Sequence, residues 1–447
     1  MTTHLPSRLA PWLVAGLLAT ATVGCDERAL PPAPQASATA ATSGAPVVAG
    51  SAEADAAATP GAVHGAKIHE HEVLSQVYEV DRIYKSMTGP QSTESVRLAS
   101  LAEPELLWIV GFEAVMVEPE TKAQISQEFM CHTNLDIDPV GHGALFGGDK
   151  RITGRLFTLS QGQYRIDMPE GFGIPVLSSE VLNLNTQVLN LNLADPKRSV
   201  RHRVIMRYVR DAEVREAMKP LYVTGAFGLK LLEGKDGHYG LSAPAASSAP
   251  HAGHGEHAGH GEHAGHGEHA GHGASGEVDH TACLPGQNAG MNEFDDGKGR
   301  TFTGHWVVEP GREENHTRVT ELMDLPFDTT LHYVAVHLHP FAESLVLKDL
   351  TTGKEVYRAK TRQADVGIGL AHVDFFSSKE GIPLFKDHEY ELVSTYNNTS
   401  SEPQDSMAVM NLYVADKEFK KPDPSAVVPK NVPGASASAA PKNAPSM

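Results

Sequence analysis

Apolar and polar positions alternate over short runs along most of this chain. Between residues 68 and 234 the runs SQVYEV, LLWIVGFEAVMV, EFMCHTNLDI, GRLFTL, QVLNLNL and HRVIMRYV follow one another, punctuated by Gly, Pro and Asp-Pro. A period of two sends successive side chains to opposite faces of a strand. Short runs between dense turn residues predict antiparallel β-sandwich packing rather than helices. Only residues 211–218 read as a short helix. The same texture returns between 284 and 415, where residues 331–340, LHYVAVHLHP, predict a strand. On it His337 and His339 project one way and Val334, Val336 and Leu338 the other. The expected fold is all-β, with two antiparallel, jelly-roll-like sandwich domains at 68–234 and 284–415.

Three stretches lack the large apolar residues that a core needs. Residues 26–67 are rich in Ala, Pro, Ser, Thr and Gly, and residues 416–447 return to Pro, Ala, Ser and Lys after a charged start. Both read as disordered, the first as a stalk. Residues 245–275 repeat HAGHGE, placing a histidine at every third position: His251, His254, His257, His260, His263, His266, His269 and His272. With Gly and Ala between them nothing can pack, so this segment reads as a solvated linker whose imidazoles gather metal weakly. Copper capture and plain linkage are both open to it.

Residues 1–25 carry Arg8, a short apolar run at 9–23 and small residues before Gly24-Cys25, the layout of an export signal. It resembles a bacterial lipoprotein signal, which implies lipidation at Cys25 and an anchor in the cell envelope, facing the periplasm or exterior. Thr22 departs from the leucine usual in that pattern. No later run is long and apolar enough to span a bilayer, since residues 106–117 are short and contain Glu113.

The length of 447 residues allows two or three domains. A net charge of −18 excludes the electrostatic footprint of a nucleic-acid binder and suits attraction of cations. Beyond Cys25 there remain Cys131 and Cys283, which in an exported chain form a disulfide or stay separate.

Two neutral imidazoles on one strand face are a natural start to a metal site. Met407, in DSMAVMNLY at 405–413, adds a soft thioether, a donor set that suits copper, Cu(I) above all. A blue-copper site would need a late cysteine, and none follows Cys283. The remaining histidines of this half, His305, His316, His332, His372 and His388, read as ordinary loop or surface residues, His332 lying on the opposite face from His337.

Residues 300–415 resemble the C-terminal domain of the copper type II, ascorbate-dependent monooxygenases. The resemblance rests on VVEPG at 307–311, His337-X-His339, LTTGKEVY at 350–357 and Asp405-Ser406-Met407 after Tyr396-Asn397-Asn398. It implies a copper held by His337, His339 and Met407, with Met410 as the second choice for the sulfur. That copper would activate oxygen with electrons from an external reductant. Met168 to Gly173, MPEGFG, and Thr186-Gln187-Val188 are similar to the family's N-terminal domain, which carries a second, electron-supplying copper. There the sequence departs from the pattern: Cys131-His132 stand where the family has two histidines, and Leu189-Asn190 follow Gln187-Val188 where it has a third. Cys131, His132 and His142 are the candidates for a second site, and the expectation is that it is not intact. Ala335 replaces the arginine that grips a carboxylate in peptide-oxidising relatives, which argues against peptide amidation.

Three functions follow as expectations. The first is an exported copper monooxygenase acting on a small molecule or peptide. The second is a lipoprotein that captures, buffers or delivers copper, and the third is a structural envelope protein.

Overall fold

The structure is a computed structural model that describes residues 63–146, 153–234, 237–241, 293–296 and 298–423. All of these belong to one compact unit, Val48–Met447. The leader with Cys25, the stalk up to residue 62, the histidine repeat, Cys283 and the tail from 424 lie outside the described residues.

The fold is all-β, with short helices at Pro139–Phe146 and Thr320–Met323. The principal sheet runs in the order His69–Leu74, Arg198–Arg210, Leu106–Val117, Phe172–Leu177, Lys219–Phe227, Ala408–Ala415, Thr329–Leu338, Phe376–Leu384. Its middle joins the two halves of the chain. Lys219–Phe227 pairs antiparallel with Ala408–Ala415 from Leu221 opposite Ala415 to Phe227 opposite Val409. A four-stranded sheet comprises Gln91–Val96, Leu182–Val188, Met130–Ile137 and Arg155–Ser160. A five-stranded sheet runs Gly311–Arg318, Tyr390–Asn398, Ala342–Asp349, Lys354–Gln363, Leu370–Val373.

The central strands are apolar on both faces because a core lies on each side of them. From Lys219–Phe227, Leu221 and Val223 pack in one core with Phe112 and Leu135. Tyr222 and Ala226 pack in the other with Leu345 and Leu392. Thr329–Leu338 divides likewise, with Tyr333 and Ala335 in the first core and Val334, Val336 and Leu338 in the second. The predicted alternation therefore holds, and it is the burial of both faces that blurs the polar half of the pattern.

The helix predicted at 211–218 is only a 3₁₀ turn at Asp211–Glu213. Trp108 Nε1 donates to Asp211 Oδ1 at 3.0 Å, and the Arg215 backbone N–H donates to the His64 carbonyl at 3.0 Å. The Arg215 N–H, which a helix would have paired with the Asp211 carbonyl, thus finds its partner outside the segment.

Candidate metal centre

His337 lies opposite Val409 and Leu338 opposite Ala408 in the ladder between Thr329–Leu338 and Ala408–Ala415. The ladder ends there, with His339 following it on one strand and Met407 preceding it on the other. Directly opposed side chains share a face, so Val409 lies on the His337 face, and Met407, two residues before it, packs with Val409, Phe227 and Phe302. Met410, opposite Val336, falls on the other and packs with Leu345 and Leu392. Met407 is also where the chain changes ladders. Just before it Gln404–Ser406 pairs with Trp306–Val308, Ser406 opposite Trp306.

The His337 and His339 rings stand 5.2 Å apart, centre to centre, nearly perpendicular; those of His305 and His339 are 5.6 Å apart. His339 Nδ1 lies 3.2 Å from the Asp405 carbonyl, an acceptor, so Nδ1 carries the proton and Nε2 keeps its lone pair. Nε2 meets only the Ser86 hydroxyl, at 3.4 Å. The following turn holds Phe341 in the left-handed region at φ +70°, a strained conformation for a large side chain. The Phe341 carbonyl accepts from Asn397 N–H at 2.8 Å, and its N–H donates to Gln363 at 2.8 Å.

His337 is 3% exposed, and neither of its ring nitrogens has a hydrogen-bond partner. Burial, aided by His132 and Arg155, pushes it down to about 3, and His339 is held well below the usual histidine range, again chiefly by burial. Both imidazoles are neutral at ordinary pH and have lone pairs to offer. Leaving a buried polar atom unpaired costs about 1–3 kcal/mol, so His337 is held at a cost to stability.

These two histidines line a cavity of about 360 Å³. Cys131 lines it as well, beside a break in register between Met130 and His132. Its thiol is free, lies 3.7 Å from Gln187 Oε1 and is pushed up to about 11 by burial. His132, also buried, is pushed down to about 3, chiefly by burial and in part by its nearness to Arg155, His202 and His339. Cys131, a candidate for the second site, thus shares a cavity with His337 and His339. His142 does not join them. Its Nδ1 is 2.9 Å from Glu180 Oε1, its ring packs 4.4 Å from Phe146, and it lines a different, smaller cavity.

The other histidines of the second half divide clearly. His316 sits between Glu314 and Glu391, His372 meets Asp374, and His388 meets Asp349. His332 bonds the Ser378 carbonyl and Thr330 and packs its ring 4.1 Å from Phe172. His305 is different, for its Nε2 is buried without a partner. Its ring lies 5.6 Å from that of His339, and no local sequence signal carries that approach.

A fit to copper can be judged from the donors themselves. Two imidazoles sharing one ion at about 2.0 Å with a tetrahedral angle have ring centres roughly 5 Å apart, and the 5.2 Å of His337 and His339 agrees. Among the described residues no three His, Cys, Asp or Glu side chains are gathered to hold a metal. A site here would need a donor of another kind; the wholly buried Met407 thioether packs with Phe227, Leu229 and Phe302.

No family model matches this chain, and no curated protein matches it. Among solved structures it is similar to PBCV-1 VP54 fitted into a reconstruction of the virophage Sputnik, at 9% identity and a TM-score of 0.29, covering 79% of this chain and 96% of that one. It is also similar to a protein from Corynebacterium diphtheriae described as membrane-anchored, at 9% identity and a TM-score of 0.16, covering 80% and 93%. Likenesses this distant assign neither a family nor an activity.

Proposed function

We propose that the chain is an envelope-anchored copper protein of the monooxygenase type, holding one copper at His337, His339 and Met407 beside a substrate-sized cavity. The observation that carries this reading is His337, a neutral imidazole with both nitrogens buried and unpaired next to a second imidazole. When bound, copper would supply one-electron redox and oxygen chemistry, fed by an external reductant. The Asp405 carbonyl orients His339 so that Nε2 is the donor nitrogen. A cavity of about 360 Å³ suits a small molecule, with apolar walls at Met130, Leu189 and Phe341 and polar ones at Lys85, Gln161 and Asp405.

A second reading, capture and delivery of copper without turnover, is favoured by one observation. Cys131 lines the same cavity as His337 and His339, so the place expected for a separate electron-supplying copper is not apart from the first.

The test is copper bound per chain in the full-length protein with the eight repeat histidines replaced by asparagine, beside the same protein carrying His339→Ala. One copper, lost in the variant, supports the strand site. Oxygen uptake with ascorbate then separates turnover from delivery. Copper retained by His339→Ala would overturn both readings.

A further inference from the structure

We infer that the cavity beside His337 and His339 takes a neutral, hydroxyl-bearing organic molecule and, resting on the reading above, that this is the class of the substrate. Its hydroxyl bonds Ser160 and His337, and its carbon body packs against Met130, Leu189 and Phe341.

Two side chains that line the cavity lack partners. Ser160 is 3% exposed, and its Oγ is buried without a hydrogen bond, as are both ring nitrogens of His337. They reach the cavity from different sheets. Ser160 ends the strand Arg155–Ser160, opposite His132, and His337 lies near the end of Thr329–Leu338. An unpaired buried polar atom is costly, and two on one cavity mark where a ligand's polar group belongs. Their neighbours are already satisfied. Gln161 donates to the Glu128 carbonyl at 2.9 Å and accepts from the Leu370 N–H at 3.2 Å, and the Cys131 thiol donates to Gln187 Oε1 at 3.7 Å.

The chemistry of the two free groups selects a hydroxyl. A neutral imidazole offers one N–H and one lone pair, and a serine hydroxyl both donates and accepts. An alcohol can donate to one of them and accept from the other at once. A carboxylate only accepts, and an ammonium only donates. Charge is disfavoured as well. The charged residues that line the cavity, Lys85, Glu402 and Asp405, are exposed or half-buried. Its buried polar lining is Ser86, Cys131, Ser160, Gln161, His337 and His339. Arg155 is buried too, but it is held by Asp136, its Nη2 donating to Oδ2 at 3.3 Å, and it does not line the cavity. An ion taken to that depth would lose its hydration without gaining a countercharge. An imidazole gives a metal one nitrogen, so copper at His337 leaves the other for the hydroxyl.

The experiment titrates the metal-free, full-length chain with four molecules of one shape, followed by amide NMR shifts. These are cyclohexylmethanol, cyclohexanecarboxylate, cyclohexylmethylammonium and methylcyclohexane. The alcohol should bind tightest, with a Kd roughly 10-fold or more below that of either ion. Ser160→Ala should raise the alcohol's Kd roughly 3–10-fold and leave that of methylcyclohexane unchanged, which also shows that the variant is folded. In the parent chain, an alcohol bound no better than methylcyclohexane, an ion bound more tightly than the alcohol, or no binding at all would overturn the inference without any variant. An unchanged alcohol Kd in folded Ser160→Ala would overturn it too. Copper counted on the same protein separates the two claims. Copper held without a preference for the alcohol leaves the reading above and removes this inference. A preference for the alcohol without copper leaves this site and removes the copper.

Discussion

The hydroxyl of Tyr396 donates to the carbonyl of Met407, and its oxygen also accepts the backbone N–H of His339 at 3.3 Å. One buried phenol thereby fixes the strand end carrying His339 to Met407. Burial pushes the phenol far above its ordinary range, so it stays protonated and able to donate.

Tyr396→Phe keeps the ring and removes that tie. It leaves a buried N–H and carbonyl unpaired, at about 1–3 kcal/mol. Urea unfolding should show that loss, and Cu(I) affinity should fall although no ligand has been changed. A variant with unaltered affinity would mean that the tie is not what positions the donors.

His337→Phe should separate stability from binding. It replaces a buried imidazole without hydrogen-bond partners by an apolar ring of similar shape. The metal-free variant is expected to be as stable as the parent or more so, by up to about 2 kcal/mol, while copper binding is lost. A clearly destabilised metal-free variant would show that His337 is there for the fold.

How much of this was legible beforehand depends on the range of the interaction. The face shared by His337 and His339 follows from the period of a strand, and Val334, Val336 and Leu338 pack on the opposite side as that period demands. The choice of Met407 over Met410 is a matter of ladder register, which the sequence states only through a resemblance. The approach of Cys131 and His132 to His337 depends on a register break in Met130–Ile137 and on how the four-stranded sheet abuts the histidine strand. There Gln163 Oε1 accepts the Val336 N–H at 3.1 Å, a contact across 173 positions of sequence. No local pattern encodes such contacts, and His305 was read as ordinary for the same reason.

The register argument predicts different outcomes for two methionines. Met407→Leu and Met410→Leu both nearly conserve volume and should each cost less than about 1.5 kcal/mol. Only Met407→Leu should remove sulfur scattering from the copper X-ray absorption spectrum and weaken Cu(I) binding. The opposite assignment would contradict the pairing of Met410 with Val336, on the face away from His337.

Buried neutral histidines also set the acid response of the fold. His202 is wholly buried, bonds Thr133 Oγ1 at 2.8 Å and is pushed down to about 3, chiefly by burial. In the unfolded chain a histidine takes up a proton near pH 6.5. Below that pH the unfolded state binds a proton that the native state refuses. The stability due to the neutral native form is whole above about 6.5 and drains away as the pH falls toward 3. The slope is about 1.4 kcal/mol per pH unit for each such histidine. His202→Gln should flatten the dependence of unfolding free energy on pH between 6 and 4 by about that amount. An unchanged slope would mean that His202 is protonated in the native state.

Cys131 offers a final separation between one copper site and two. Its thiol is 6% exposed and pushed up to about 11, so at pH 8 it is almost entirely protonated and shielded. Alkylation by iodoacetamide, followed at the Cys131 peptide, should therefore be slow in the metal-free protein. With a single centre at His337, His339 and Met407, Cys131→Ser should keep one copper and an unchanged Cu(I) affinity. The thiol would then be a wall of the cavity, and a bulky adduct there would block substrate or ion entry. If Cys131→Ser instead lowered copper per chain, the thiol would be a donor and the site in the first half of the chain would be restored.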